Sequence, residues 1–404
     1  MTPEFKGLLL AAVVKIVVVF SVINVGVMLI IWQERRQSAF VQDRRGPNRV
    51  GPFGLLQSVA DGVKNFMKEE TYPAAADRIL FLLAPVMAFI PAMLGFAVIP
   101  FASPWPGFDF TMPVLGRFVS AGVVPMVMAD LPVGFLFVLA ITSIGVYGIV
   151  LAGWSSNSKY AFLGGLRAGA QMVSYEIAMG MSLIAVIILV GNVTLSEVIG
   201  RQQDSMWFIF PLLIGFFIFM VSAFAETNRL PFDLPETESE LVAGYHTEYS
   251  SIKFSMFFIA EYSNMITASA LMAALFFGGW DIPFTTWDEG DPSVVKSLAT
   301  MVVFGLKTWL FLSLFIQIRW TLPRFRFDQL MHLGWKFLLP LALGYIMMIA
   351  TTVWALDALG VAFGIRYALV LFGANIVLSY GLFWVLDRDR LFGGSRPGNN
   401  RRIA

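Results

Sequence analysis

Apolar side chains recur along this chain in long unbroken runs, not at the spacing of a half-buried helix or strand. A hydrocarbon core of ~30 Å takes ~20 apolar residues as helix. On that rule the runs predict nine membrane-spanning helices, at roughly 8–32, 79–100, 132–152, 169–191, 206–225, 252–277, 300–318, 337–356 and 366–386. The first run is too long for a secretory leader, and no small-residue cleavage site follows it. One connection has its own pattern. Phe53, Leu56, Val59, Ala60, Val63, Phe66 and Met67 recur at helical spacing, opposed by Gln57, Asp61, Lys64 and Lys68. That pattern predicts an amphipathic helix lying in the membrane interface. The expected fold class is therefore all-α: a polytopic transmembrane protein of about eight to nine spans, forming one integral membrane domain over residues 1–404.

Composition agrees and narrows the chemistry. The chain is 57% apolar and only 14% charged, where a soluble domain carries ~25% charged residues. It has no cysteine, which excludes thiolate-held iron–sulfur clusters, Cys-type zinc sites and disulfides. Two histidines, His246 and His332, leave little for haem or copper ligation, and a net charge of +1 gives no nucleic-acid footprint. No nucleotide-binding glycine motif is found. No bound metal, flavin or iron–sulfur cluster is expected, so carboxylates, lysines and arginines must carry the chemistry.

Lys and Arg set the orientation. The connections after spans 1, 3, 5 and 7 hold fifteen of them, while the other side holds Lys6, Arg117, Arg201 and Lys296. The N-terminus is expected outside and the charged connections in the cytoplasm. A ninth span would return the basic tail, from Arg388 to Arg402, to the same side. Lys15 lies near enough to the outer end of the first span to snorkel.

Two sets of acids stand out. The connection 226–248 carries Glu226, Asp233, Glu236, Glu238, Glu240 and Glu248 against a single Arg229. Acids crowded against lipid cannot all ionise, so some are expected to titrate towards neutrality and to respond to a nearby change of charge. A solvated acidic loop is the plain alternative, but Leu241, Val242 and Ala243 are mixed in and apolar spans abut both ends. Inside the spans lie Glu176, Glu261 and Lys307. Each costs at least ~2.5 kcal/mol at the bilayer centre unless it faces protein or water. They are expected buried, paired and on a proton path, and helix spacing does not say which pairs with which.

Four connections together resemble one family. The first carries Glu34-Arg35, Gln42, Arg44 and Gly46-Pro47-Asn48-Arg49-Val50-Gly51-Pro52. The second runs from Gly153 to Tyr160 and continues through Arg167, Gln171 and Ser174-Tyr175-Glu176. The third holds Glu226-Thr227-Asn228-Arg229, Pro231-Phe232-Asp233-Leu234, Glu236, Glu238-Ser239-Glu240 and Glu248-Tyr249-Ser250. The fourth holds Arg319, Pro323-Arg324-Phe325-Arg326, Asp328 and Trp335-Lys336. In this order, over about residues 6–355, they resemble the quinone-tunnel membrane component, the H subunit, of respiratory complex I, the proton-translocating NADH:quinone oxidoreductase.

The resemblance implies a translocase component with no activity in isolation, set in a bacterial inner membrane. It would form much of a quinone tunnel for ubiquinone or menaquinone and couple quinone reduction to proton translocation. Tunnel positions carry over to Glu34, Arg35, Arg44, Phe232 and Arg319. Proton-coupling positions carry over to Glu226, Asp233, Glu236, Glu238, Glu240 and Glu248, and onward to Glu176, Glu261 and Lys307. The implied partners are the peripheral-arm subunits of the quinone site, one of which holds the terminal iron–sulfur cluster, small membrane-arm subunits, and membrane lipid. The last span and the basic tail depart from the family pattern, and the connection 101–131 carries nothing assignable. The homologous component of an ion-pumping hydrogenase, a proton-coupled secondary transporter and a non-catalytic assembly scaffold remain alternative readings.

Overall fold

In a computed structural model, residues 2–387 are described except for 113–115, 121, 284 and 289. The elements are helical apart from one two-stranded hairpin. Long apolar helices run at α1 (Pro3–Val41), α3 (Arg78–Leu94, extended by a 3-10 turn to Val98), α4 (Gly134–Ser155) and α5 (Lys159–Val190). Four more follow: α9 (Ser251–Phe276), α10 (Val294–Thr321), α11 (Phe327–His332) continuing through a π turn into α12 (Leu339–Ala358), and α13 (Ile365–Asp387). Shorter helices are α2 (Gln57–Met67), α6 (Leu195–Gln203), α7 (Leu213–Glu226) and α8 (Glu238–Leu241). Among the described residues, eight helices are long and apolar enough to cross a membrane.

The fifth expected span is the exception. Only the 14 residues of α7 are helical where 206–225 predicts a full crossing. At 1.5 Å per residue they reach about 21 Å. Pro211 lacks an N–H, and the residue before a proline is biased away from helical backbone. The stretch ahead of α7 accordingly turns, with the Leu212 amide bonded back to Phe208 and the Ile209 amide to the carbonyl of Phe276.

Two expected loops are partly helical. α1 runs nine residues past the predicted end of its span, so Glu34 and Arg35 sit on helix and not in a connection. α5 begins at Lys159, ten residues before its predicted start. The amphipathic helix forms at Gln57–Met67. Phe53, Leu56, Val63, Phe66 and Met67 are exposed beside or along α2. The unassigned connection 101–131 holds β1 (Asp109–Met112) and β2 (Gly116–Val119), paired antiparallel. Lys15 does not simply snorkel. Its ammonium donates to the carbonyls of Val127 (2.7 Å) and Pro125 (3.3 Å), tying this connection to α1.

The core lies where α5 packs on α4, α7 and α12, while α3 bridges α4 and α9, and α9 packs on α10 and α1. Close crossing of α3 and α4 depends on Gly148. A Cβ there would lie 2.7 Å from the amide nitrogen of Ala88 and 2.9 Å from the Ala84 carbonyl oxygen. The outer faces stay apolar and exposed, as lipid-facing helix surfaces require: Leu8, Val22, Leu310 and Met347 are each at least 60% exposed.

Candidate functional site

The site is built around the connection after α7. Glu226 ends that helix, and Thr227 turns the chain by bonding its hydroxyl to the Ala223 carbonyl. Gln171 of α5 is fully buried, and its amide nitrogen lies within bonding distance of three acceptors: the carbonyls of Ala225 (2.7 Å) and Phe232 (2.8 Å), and Oδ1 of Asn228 (3.1 Å). One side chain thus holds both ends of the turn and sends Arg229 inward. Pro231 follows a cis peptide bond. Phe232 is buried with its ring 5.5 Å from those of Tyr175 and Phe325. Further on, Gly244 has φ +61°, and a Cβ there would fall 1.7 Å from the Pro235 carbonyl oxygen, so only glycine lets the loop close.

Arg229 is the hub. Its Nε lies 2.7 Å from Oε1 of Glu261 on α9, and its Nη1 lies 3.3 Å from Oε1 of Glu34 on α1. The guanidinium sits 4.2 Å from the centroid of the Tyr262 ring, a cation–π contact. Arg319 of α10 pairs with the same oxygen of Glu34, and Tyr262 donates to the other one at 2.5 Å. Glu34, Arg229 and Tyr262 are buried. Burial works against the charge of Arg229, yet Glu261, Tyr262 and Glu34 more than offset it and hold its pKa well above the ordinary arginine value.

Around this core Asp233 accepts from Arg324 at 3.0 Å. Glu236 accepts from the Tyr245 hydroxyl at 3.2 Å and lies 3.7 Å from His246. Glu34, Asp233, Glu236 and Glu261 therefore face Arg229, Arg319 and Arg324, one carboxylate more than the arginines balance. Burial raises the pKa of Asp233 despite the pull of Arg324 and Arg319. Burial, then the charge of Asp233, pushes Glu236 up to about 7. Carboxyl groups so placed exchange protons near neutral pH.

Two cavities extend the cluster inward. Glu226, Thr227 and Asn264 line both. One, of about 30 Å³, also touches Glu261, Asn228 and Tyr245; the other, also about 30 Å³, touches Thr142 and Thr267. Each exceeds the ~10–15 Å³ that admits a water molecule. Beyond Thr142, Ser143 bonds to Glu176. The acids of the loop and those of the spans thus lie one after another: Glu236 and Asp233, then Glu261, Glu226 and Glu176.

Other expected residues lie elsewhere. Glu240 is half exposed and pairs with Arg167 at 2.7 Å. Glu248 is partly buried on the turn before Tyr249 and makes none of these contacts. The Glu238 side chain and the basic tail from Arg388 lie outside the described residues. Lys307 caps the far end of α9, donating to the carbonyls of Phe277 and Asp281, both at 2.6 Å. Phe277 is sixteen residues beyond Glu261, about 24 Å at the helical rise. Of the tunnel positions, Glu34 and Arg319 join the cluster and Phe232 packs beneath it. Arg35 points away to Asp61 at 2.5 Å, and Arg44 to Gln42 at 2.6 Å.

Sequence alone assigns no role to Arg229, Tyr262, Gln171 or Asn264. A lone arginine among six acids is the available sign for the first. The others look like ordinary span residues.

Beside the cluster lies an apolar groove of about 460 Å³ between α1, α9 and α10, walled by Ile23, Ile30, Phe101, Ile266, Phe304 and Leu312. At one end Gln33 accepts from the Trp309 indole at 2.8 Å and donates to Ser313 at 2.9 Å, one residue from Glu34.

Fold and site define a polytopic membrane protein with an arginine-held carboxylate cluster beside an apolar groove. The family model described as NADH dehydrogenase matches residues 14–350, and the chain belongs to that family. Its relatives include an NADH-quinone oxidoreductase H subunit of Koribacter versatilis, 48% identical over 347 residues, which are 85% of this chain and 96% of that protein. The corresponding protein of Cytophaga hutchinsonii is 47% identical over 337 residues, covering 83% and 94% of the two chains. That of Geobacter sulfurreducens is 49% identical over 329 residues, covering 81% and 92%.

Proposed function

We propose that this chain, a membrane component of an NADH-quinone oxidoreductase, admits quinone from the bilayer and converts its reduction into proton movement. The surplus carboxylate of the buried cluster, joined through Glu226 to two water-sized cavities, is the observation that carries this reading. The isoprenoid tail lies in the groove between α1 and α10. Its headgroup passes Arg319 and Glu34 towards peripheral-arm subunits, where an iron–sulfur cluster held by another chain would be the source of two electrons, delivered one at a time. Quinone also takes two protons to become quinol. The change in charge and proton content resets the acids next to Arg229 and Arg319, and Glu261, Glu226 and Glu176 hand protons inward. The excess of Lys and Arg in these connections supports a cytoplasmic position for this end of the molecule in a bacterial inner membrane, with the N-terminus outside. Small membrane-arm subunits cover the route laterally. Arg35 and Arg44 face the adjoining surface, where they meet lipid or peripheral-arm subunits.

Glu226→Gln in the assembled complex tests the reading. NADH:quinone reduction is expected to persist at a reduced rate, with fewer protons translocated per NADH in sealed vesicles. An unchanged ratio in a fully assembled variant defeats the relay. A secondary transporter predicts solute movement by the isolated chain in liposomes, where none is expected here.

A further inference from the structure

The helix α13 lies beyond the family match, which ends at residue 350. Among its described residues, the polar side chain of Asn375 is fully buried. That amide accepts from the backbone N–H of Ile214 (3.4 Å) and donates to the carbonyls of Pro211 (2.7 Å) and Leu371 (3.0 Å). Ile214 is the second residue of α7, one of the four whose N–H groups have no partner within their own helix. The position before α7 is Leu212, which has no side-chain oxygen to cap it. Asn375 therefore does from a neighbouring helix what a serine or asparagine ordinarily does at the start of its own. It also binds the carbonyl of the proline that interrupts the span. Phe372 sets its ring edge-on to Phe210 at 5.9 Å, and Tyr345 of α12 closes the other side, 3.1 Å from where a Cβ on Gly215 would stand.

α7 is short and ends at Glu226. Asn375 clamps its first turn and Gln171 holds the Ala225 carbonyl in its last, so the two together set the depth of Glu226. We propose that Asn375 is a positioning residue for proton transfer, an interhelical cap that holds α7 where Glu226 reaches both cavities. The inference rests on the relay reading above, and adds that the helix outside the family match serves it.

The test uses the assembled complex in sealed vesicles. Asn375→Leu matches the side chain in size and cannot bond. Its assembly is expected to hold, amide exchange in the first turn of α7 to speed up about five-fold, and protons translocated per NADH to fall about two-fold or more, because sub-ångström placement governs transfer. In a Glu226→Gln background Asn375→Leu should lower the ratio no further. Asn375→Gln keeps both amide functions and should give an intermediate ratio. A normal ratio in Asn375→Leu, or a loss fully additive to that of Glu226→Gln, overturns the proposal. So does failure of both Asn375 variants to assemble, which would make the residue one of folding alone. Normal translocation in Glu226→Gln itself defeats the relay instead, and separates the two ideas.

Discussion

Glu236 titrates at about 7 because it is largely withdrawn from water and because Asp233 is charged beside it. Replacing Asp233 by Asn removes that charge. At an effective dielectric of ~20, a unit charge about 6–8 Å away is worth ~2–3 kcal/mol, or roughly 1.5–2 pKa units. Losing Asp233 also frees Arg324, now 3.0 Å from it, and the freed cation acts in the same direction. Glu236 in the Asp233→Asn variant should therefore ionise at a clearly lower pH, leaving only the part of its elevation due to burial. Protons translocated per NADH, measured in sealed vesicles between pH 5.5 and 8.5, should fall off at a midpoint about one to two units more acidic than in the parent. Glu236→Gln should abolish the inflection near 7. An Asp233→Asn midpoint that stays put or moves to higher pH refutes the assignment of Glu236 as the group titrating there. Stability supplies an independent check of sign. A carboxyl group whose folded pKa is raised contributes stability below its unfolded value of about 4.5, and loses it as pH rises through about 7. Glu236→Gln should consequently stabilise the complex at pH 8, by an upper bound of ~3 kcal/mol, and change little at pH 4.

Glu240 shares a sequence neighbourhood with Glu236 but not its surroundings. Its exposed pair with Arg167 is worth ~0–1 kcal/mol, so Glu240→Gln should leave translocation and its pH profile near normal. Gly148→Leu places side-chain atoms against the backbone of α3, where even a Cβ is too close. Assembled complex on a native gel should drop sharply, since overpacking costs ~1–3 kcal/mol or more, while Gly145→Ala, which meets no neighbour within 4 Å, serves as the control.

The spans were legible because twenty apolar residues in a row have few other fates. The amphipathic helix was legible because its two faces differ in kind. What stayed hidden depends on partners distant in sequence. Arg229 meets Glu34 across 195 positions, and Arg319 meets it across 285, so no local spacing reveals that three arginines organise the acids. Lys307 looked like a relay member because a lysine in a span is costly wherever it points. Only the packing shows its ammonium on the carbonyls at the end of α9. The broken fifth span was obscured for the opposite reason: Pro211 sits in a run so apolar that hydropathy passes straight over it, and the amide that repairs the break comes from another helix. Glu34 and Arg35, adjacent in sequence and alike in the motif that includes them, part company because neighbouring residues on a helix point about 100° apart.

The two cavities beside Glu226 also bear on which ion the proposed relay would carry. Each is about 30 Å³ and bounded mostly by carbon, with Glu226, Thr227 and Asn264 common to both. A metal cation travels with several oxygen ligands about it, and stripping them in a low-dielectric setting costs many kcal/mol. A hop from one water to a carboxylate and on to a second water needs no such shell. Under the proposed relay, a hydrated sodium ion would need α7 to part from α4 and α9, whereas a proton would need only the waters that the cavities can hold. On that reading hydration, ahead of charge, is what separates the two ions.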